Sequence, residues 1–194
     1  MRHLSEQDAF VALQESLSYR DKIIGIGLAS SELGNPPAKF KQVFQEARNH
    51  GYHTVVHAGE EAGPEYIWEA LTILGAERID HGVQCMKEAP LVQELLRRKI
   101  LLTVCPLSNV ALQIYKTLEE HPIKRMLDAG LCVSINSDDP AYFGGYIAEN
   151  YQAVAECFNL TKKDLMVIAR NSIMGSFMPV AQKNKLLNSE ILVY

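Results

Sequence analysis

Five short polar clusters hold the residues best suited to chemistry in this chain. They are Ser30-Ser31-Glu32, His57-Ala58-Gly59-Glu60, Asp80-His81-Gly82, Cys105-Pro106-Leu107-Ser108-Asn109 and Asn136-Ser137-Asp138-Asp139-Pro140. His57 with Glu60 suits a metal ligand followed by an acid/base carboxyl, although His-x-x-Glu alone is equally a capping or surface pattern. Asp138-Asp139 sets two carboxylates side by side, so one can bind a cation while the other faces a substrate. Taken singly, the pair reads as an Asx-turn before Pro140. His81 alone reads as a satisfied core histidine. Together, His57, Glu60, His81 and the Asp138-Asp139 pair supply ligand, acid, base and anchor. Glu61 reads as a loop charge.

Each cluster follows a short apolar run. The runs are Ile23-Ile24-Gly25-Ile26, Thr54-Val55-Val56, Arg78-Ile79-Asp80, Ile100-Leu101-Leu102-Thr103-Val104 and Val133-Ser134-Ile135. Most are apolar on both faces, as strands of a covered parallel sheet are. Between them lie amphipathic stripes at helical spacing: Phe40, Val43, Phe44, Ala47, then Ile67, Ala70, Leu71, Leu74. Leu91, Val92, Leu95, Leu96 and Ile123, Met126, Leu127 continue the series. Gly51, Gly75 and Gly130 read as helix ends, and Pro37, Pro64, Pro90 and Pro122 as helix starts. After the last strand, Ile147, Tyr151, Val154 and Phe158 form one more stripe, and Thr161-x-x-Asp164 opens the next helix as a capping box. The pattern is α/β, repeated β-then-α steps in one domain over residues 1–194. In parallel α/β folds the strand ends meet on one face, where ligands bind. That places all five clusters together.

The 194 residues, 47% hydrophobic and 22% charged, exclude disorder and coiled coil. A net charge of -4 argues against nucleic-acid or anionic-membrane binding, which needs clustered positive charge. No apolar run approaches the ~20 residues of a membrane helix, and the first residues lack a signal-peptide core. Cys85, Cys105, Cys132 and Cys157 form no Cys-x-x-Cys pair and read as reduced thiols, which points to the cytoplasm. His53 shares a strand face with His57, but four residues of strand separate them by roughly 13 Å, too far for one metal ion. His53, His3, His50 and His121 therefore read as structural. An open doubly wound nucleotide-binding sheet is rejected, because no Gly-x-Gly-x-x-Gly loop is present.

The clusters at His57–Glu60, Arg78–Gly82, Cys105–Asn109 and Asn136–Pro140 resemble, in order, the motifs of the adenosine and adenine deaminase family. The stretches Ser30–Pro37, Glu65–Leu71 and Pro140–Tyr146 are similar to its adenine-specific branch. The resemblance implies a TIM-type (β/α)8 barrel of the metal-dependent hydrolase kind with one zinc ion. It implies His57 and Asp138 as zinc ligands, Glu60 as the acid protonating purine N1, and His81 as the residue that orients and helps deprotonate the attacking water. Asp139 would bond purine N7, and the backbone near Ser30 would meet N3. The chemistry is consistent: attack at C6 needs a water activated near neutral pH, and a carboxyl proton at N1 lets the ring accept electrons.

One departure is specific. The family takes two more zinc ligands from a His-x-His pair on its first strand, and no His-x-His occurs here. Five strands against eight imply an incomplete barrel, the C-terminal part with the first three β/α units missing. The expected function is zinc-dependent hydrolytic deamination of adenine to hypoxanthine and ammonia, in purine salvage, with the missing N-terminal segment needed for full activity. The expected partners are a small purine, and a separate N-terminal segment or self-association through open sheet edges. Two alternatives stand beside it: adenosine deamination to inosine, and a catalytically incompetent fragment or non-enzymatic purine-binding or interaction module.

Overall fold

The computed structural model describes residues 1–189. The chain forms two compact units, residues 1–93 and residues 94 onward, with the division inside one helix.

In the first unit, Ser5 starts helix α1 (Glu6–Leu17) with a capping box: its side chain accepts the Asp8 N–H while Asp8 accepts the Ser5 N–H. Strand β1 (Gly25–Leu28) follows, then a 3-10 turn at Pro37–Phe40, helix α2 (Lys41–Asn49) and strand β2 (His53–Ala58). Helix α3 (Pro64–Glu69) runs on through a single π turn at Ala70–Leu74 to strand β3 (Arg78–His81). β1, β2 and β3 pair in parallel, with Gly25 beside His53 and His57 beside Asp80. The predicted stripes are the core. Phe40, Val43, Phe44 and Ala47 are buried, as are Ile67, Ala70, Leu71 and Leu74. Burying each larger side chain contributes roughly 1.5–3 kcal/mol. Gly75, at φ 67°, ends the π turn in the left-handed region, as its position at the end of the stripe implies.

Two expectations for the strands need correction. β1 begins at Gly25, leaving Ile24 outside the strand and 59% exposed. The two glycines are what let β1 lie close to β2: a Cβ on Gly25 would stand 2.8 Å from the His53 carbonyl oxygen. β2 is not covered on both faces. Thr54, Val56 and Ala58 are buried, whereas His53, Val55 and His57 are only half-buried, the two-residue alternation of a strand with one packed face.

Helix α4 (Ala89–Arg98) spans the division between the units, with Pro90 as its second residue. The second unit continues with strand β4 (Leu101–Val104), helix α5 (Pro106–Ala111), helix α6 (Ile123–Asp128) and strand β5 (Val133–Ile135). β4 and β5 are parallel, Leu102 beside Val133 and Val104 beside Ile135. Helices α7 (Pro140–Phe143), α8 (Ile147–Phe158), α9 (Lys162–Met174) and α10 (Val180–Leu187) complete the described chain. Thr161 and Asp164 form the predicted capping box. α9 is tied to β5 by Asn171, whose Nδ2 donates to the Val133 carbonyl at 3.0 Å. The stripe predicted on α8 is only partly a core: Val154 is buried, but Ile147 is 50% exposed in the first turn. All four cysteines are free thiols; Cys85 and Cys105 are buried, and burial pushes the Cys85 thiol up to about 12. Among the described residues no helix is long and apolar enough to cross a membrane.

His121 is structural, as expected, and it sets an acid limit on stability. Its Nδ1 accepts the Ile123 N–H at 3.1 Å, so the ring proton sits on Nε2, 3.2 Å from the Asn109 side-chain oxygen. A second ring proton would face a donor, and burial pushes the pKa down to about 3 from 6.5. Between these values the unfolded chain binds the proton and the folded one does not, so stability is full above pH 6.5 and falls as pH drops toward 3. The full contribution is roughly 5 kcal/mol at most. Chemical melts between pH 7 and 4 should show this slope, and His121→Gln should flatten it. An unchanged slope in the variant would assign the acid limit to other groups.

Candidate active site

The first unit assembles three of the predicted residues. His57 stands on β2 and His81 at the end of β3, and Glu60 follows β2 by two residues. His81 is buried, and its ring meets that of His57 edge-on with centroids 4.7 Å apart. His81 Nε2 lies 3.2 Å from His57 Nδ1, and on its other side His81 Nδ1 lies 3.3 Å from Glu60 Oε1. The Glu60 side chain is 12% exposed and that of His57 30%. Asp80, beside His57 in the register, is held by Arg78, whose Nε donates to Oδ1 at 3.1 Å.

This donor set fits a divalent transition metal. His57, Glu60 and His81 each offer a ligand atom, and the three atoms all lie within 4.8 Å of one another. Two imidazole nitrogens at 3.2 Å match the ~3.3 Å edge of a tetrahedron with zinc–nitrogen bonds of about 2.0–2.1 Å. Imidazole with carboxylate is a set that zinc accepts readily.

The backbone carrying these groups is held by residues that sequence reasoning passes over. Arg2 is fully buried; its Nη1 donates to the His57 carbonyl at 2.6 Å and its Nε to the Asn35 carbonyl at 2.9 Å. Glu32 accepts N–H groups from the loop after β2, and Gln84 donates from its Nε2 to the Glu60 carbonyl at 3.1 Å. Gly59 sits at φ 69°, where a Cβ would collide with Ile67 Cδ1, so only glycine passes here. Glu61 is more than the loop charge expected of it: its Oε2 accepts the Glu32 N–H at 3.1 Å. The only sequence signal for Glu32 is its place in a polar cluster after β1, and Arg2 carries none.

Ser30 follows β1, exposed, with its hydroxyl 2.7 Å from His3 Nδ1. His53 pairs with Glu77 at 2.9 Å and His50 with Glu46 at 3.2 Å, in keeping with structural roles. In the second unit Asp138 follows β5, exposed, and its Oδ2 accepts from the buried Ser108 hydroxyl at 2.7 Å. Asp139 caps α7: its Oδ1 accepts the Tyr142 N–H at 3.3 Å, the local role open to it from sequence. Ser30, His81 and Asp138 all hold positive φ, at 87°, 66° and 58°. Non-glycine residues seldom adopt this region, and such strain clusters at functional sites. Three strand ends share it.

The family model of adenosine deaminase matches residues 1–192. The adenine deaminase of Cupriavidus taiwanensis is 53% identical over 187 residues, covering 96% of this chain and 53% of that relative. The adenine deaminase of Wolinella succinogenes is 52% identical over 183 residues, covering 94% of this chain and 55% of the relative. The chain thus spans about half the length of the curated relatives it matches. Among solved structures, an adenine deaminase from Arthrobacter aurescens superposes with a TM-score of 0.94 at 45% identity, over 96% of this chain and 57% of that one. An amidohydrolase from Burkhoderia ambifaria with bound Zn gives a TM-score of 0.92 at 25% identity, over 99% and 56%. The expected α/β class, of the TIM-type barrel kind, is borne out.

Proposed function

The chain belongs to the adenosine deaminase family, and from that membership we propose that it serves the hydrolytic deamination of adenine. Water adds at C6, the C6–N bond breaks, and hypoxanthine and ammonia leave. The observation that carries this reading is the cluster in which His81 stands between His57 and Glu60. The adenine deaminase names of the relatives favour the free base over the nucleoside.

His57 and Asp138 are the proposed zinc ligands. When bound, the metal supplies Lewis acidity, which brings the pKa of water to about 7. His81, fixed at the end of β3, takes a proton from the attacking water and returns it to the departing amino group, which leaves as ammonia. Glu60 in its carboxylic form gives its proton to ring N1, so charge does not build on the ring as C6 is attacked. Purine N7, in its N7–H tautomer, would donate to the Asp139 carboxylate oxygen not used in the cap, and the backbone at Ser30 would meet N3. Burial of His81 and the low exposure of Glu60 keep the proton exchange away from bulk water. The free thiols support a reducing compartment, the cytoplasm.

Metal analysis tests the first part. With His81 and Glu60 kept for proton transfer, two protein ligands remain, short of the three usual for catalytic zinc. The 194-residue chain should therefore keep well under one zinc per chain after dialysis, and His57→Ala should remove the remainder. One tightly held zinc would instead make His81 a third ligand and end its role on the water. Product analysis tests the second part. In a deaminating form, hypoxanthine from adenine should outpace inosine from adenosine. The reverse order would replace the base by the nucleoside, and purine binding without product would leave a non-enzymatic module.

A further inference from the structure

The loop between β2 and α3 carries Glu60, and four consecutive backbone N–H groups of that loop converge on one side chain. Glu32 Oε1 accepts from Gly59 at 2.6 Å; Oε2 accepts from Glu60 at 3.0 Å, Glu61 at 2.7 Å and Ala62 at 3.0 Å. Glu32 is 2% exposed. A buried carboxylate is costly unless fully hydrogen-bonded, and these four donors satisfy it. All four precede Pro64, so Glu32 is not a helix cap. It organises a loop that lacks secondary structure of its own. The opposite side of the loop is held as well: Gln84 donates through its backbone N–H to the Gly59 carbonyl at 2.9 Å and through Nε2 to the Glu60 carbonyl at 3.1 Å. Glu61 Oε2 returns a bond to the Glu32 N–H, which locks the two segments reciprocally.

We propose that Glu32 is a positioning residue for Glu60: its carboxylate sets the path of residues 59–62 and so holds the Glu60 carboxyl against His81. The assignment deepens the deaminase reading, on which the catalytic meaning of Glu60 rests, while the positioning itself is a property of this chain. Glu32 acts through backbone N–H groups and touches neither substrate nor metal. No other type of side chain of this length can accept four donors: in Glu32→Gln the amide nitrogen would point a donor at the same N–H groups.

The test needs no activity. Backbone amide exchange and histidine ring nitrogen shifts are followed in the full chain, in Glu32→Gln, and in Glu32→Asp, which keeps the charge but retracts it by one methylene. Losing charge-assisted bonds should speed exchange at residues 59–62 by about 10–100-fold in Glu32→Gln, with Val55 and Val56 unchanged. The His81 Nδ1 resonance should move with it, and Glu32→Asp should fall between the two. Unchanged exchange at 59–62 would overturn the proposal. So would uniform acceleration at every amide, or a failure of both variants to fold, since each makes Glu32 a general support of the fold. Failure of the deaminase reading registers separately, as absence of product even when the chain is paired with the N-terminal segment of a related deaminase, with the loop still protected by Glu32.

Discussion

Glu60→Gln should lower purine turnover by about 100- to 10,000-fold in a deaminating form of this protein, with zinc content as in the parent. The size follows from the task. A positioned general acid contributes on that scale, and the amide of glutamine has no proton to give at neutral pH. The retained zinc follows from the assignment of metal binding to His57 and Asp138. The geometry adds a control. Glu61, one residue on, carries the same charge but accepts the Glu32 N–H, and its side chain has no such contact with His81. Glu61→Gln keeps an acceptor oxygen there and should cost less than tenfold, since one hydrogen bond contributes about 1 kcal/mol. Steady-state rates and metal analysis on the three proteins decide the matter. Equal turnover for Glu60→Gln and the parent would remove Glu60 from the reaction, and loss of zinc in that variant would make it a ligand instead.

Pairing this chain with the N-terminal segment of a related deaminase should turn adenine deamination from near zero to measurable. Two observations motivate the expectation. No His-x-His pair exists in the 194 residues, whereas the resemblance calls for one. β1 pairs with β2 along one side, and among the described residues of its unit no strand lies along the other. Unpaired backbone with exposed apolar neighbours, such as Ile24, invites another chain. Co-expression with the N-terminal part of the Cupriavidus taiwanensis relative should yield a soluble complex that holds zinc and releases hypoxanthine. The 194-residue chain by itself should self-associate or bind a hydrophobic dye. A monodisperse, cooperatively melting and active preparation of the chain alone would refute the requirement for a partner segment.

The elements were legible because burial is periodic. Phe40, Val43, Phe44 and Ala47 are spaced for one helix face and all four are buried there. The glycine at 75 and the Thr161–Asp164 box mark helix ends through local backbone chemistry alone. The candidate site was legible for the same kind of reason, since a strand end projects its last side chains toward a common face. His57 and His81 meet at 3.2 Å because neighbouring parallel strands put their ends in register. Less legible was the start of β1, where the apolar Ile23-Ile24 pair outweighs two glycines that matter for close strand contact.

Sequence by itself determined the α/β order, the core stripes, the polar strand ends and the identities of His57, Glu60, His81, Asp138 and Asp139 as candidates. Those follow from side-chain type and spacing. Tertiary structure alone decided that Arg2 holds the His57 carbonyl, that Glu32 gathers the N–H groups of residues 59–62, and that Glu61 answers Glu32. The physical reason is the same in each case. The partner of the charged side chain is main-chain N–H or C=O, which nearly every residue carries, so no pattern of side chains announces the contact until the chain has folded back across 27 to 55 positions to make it.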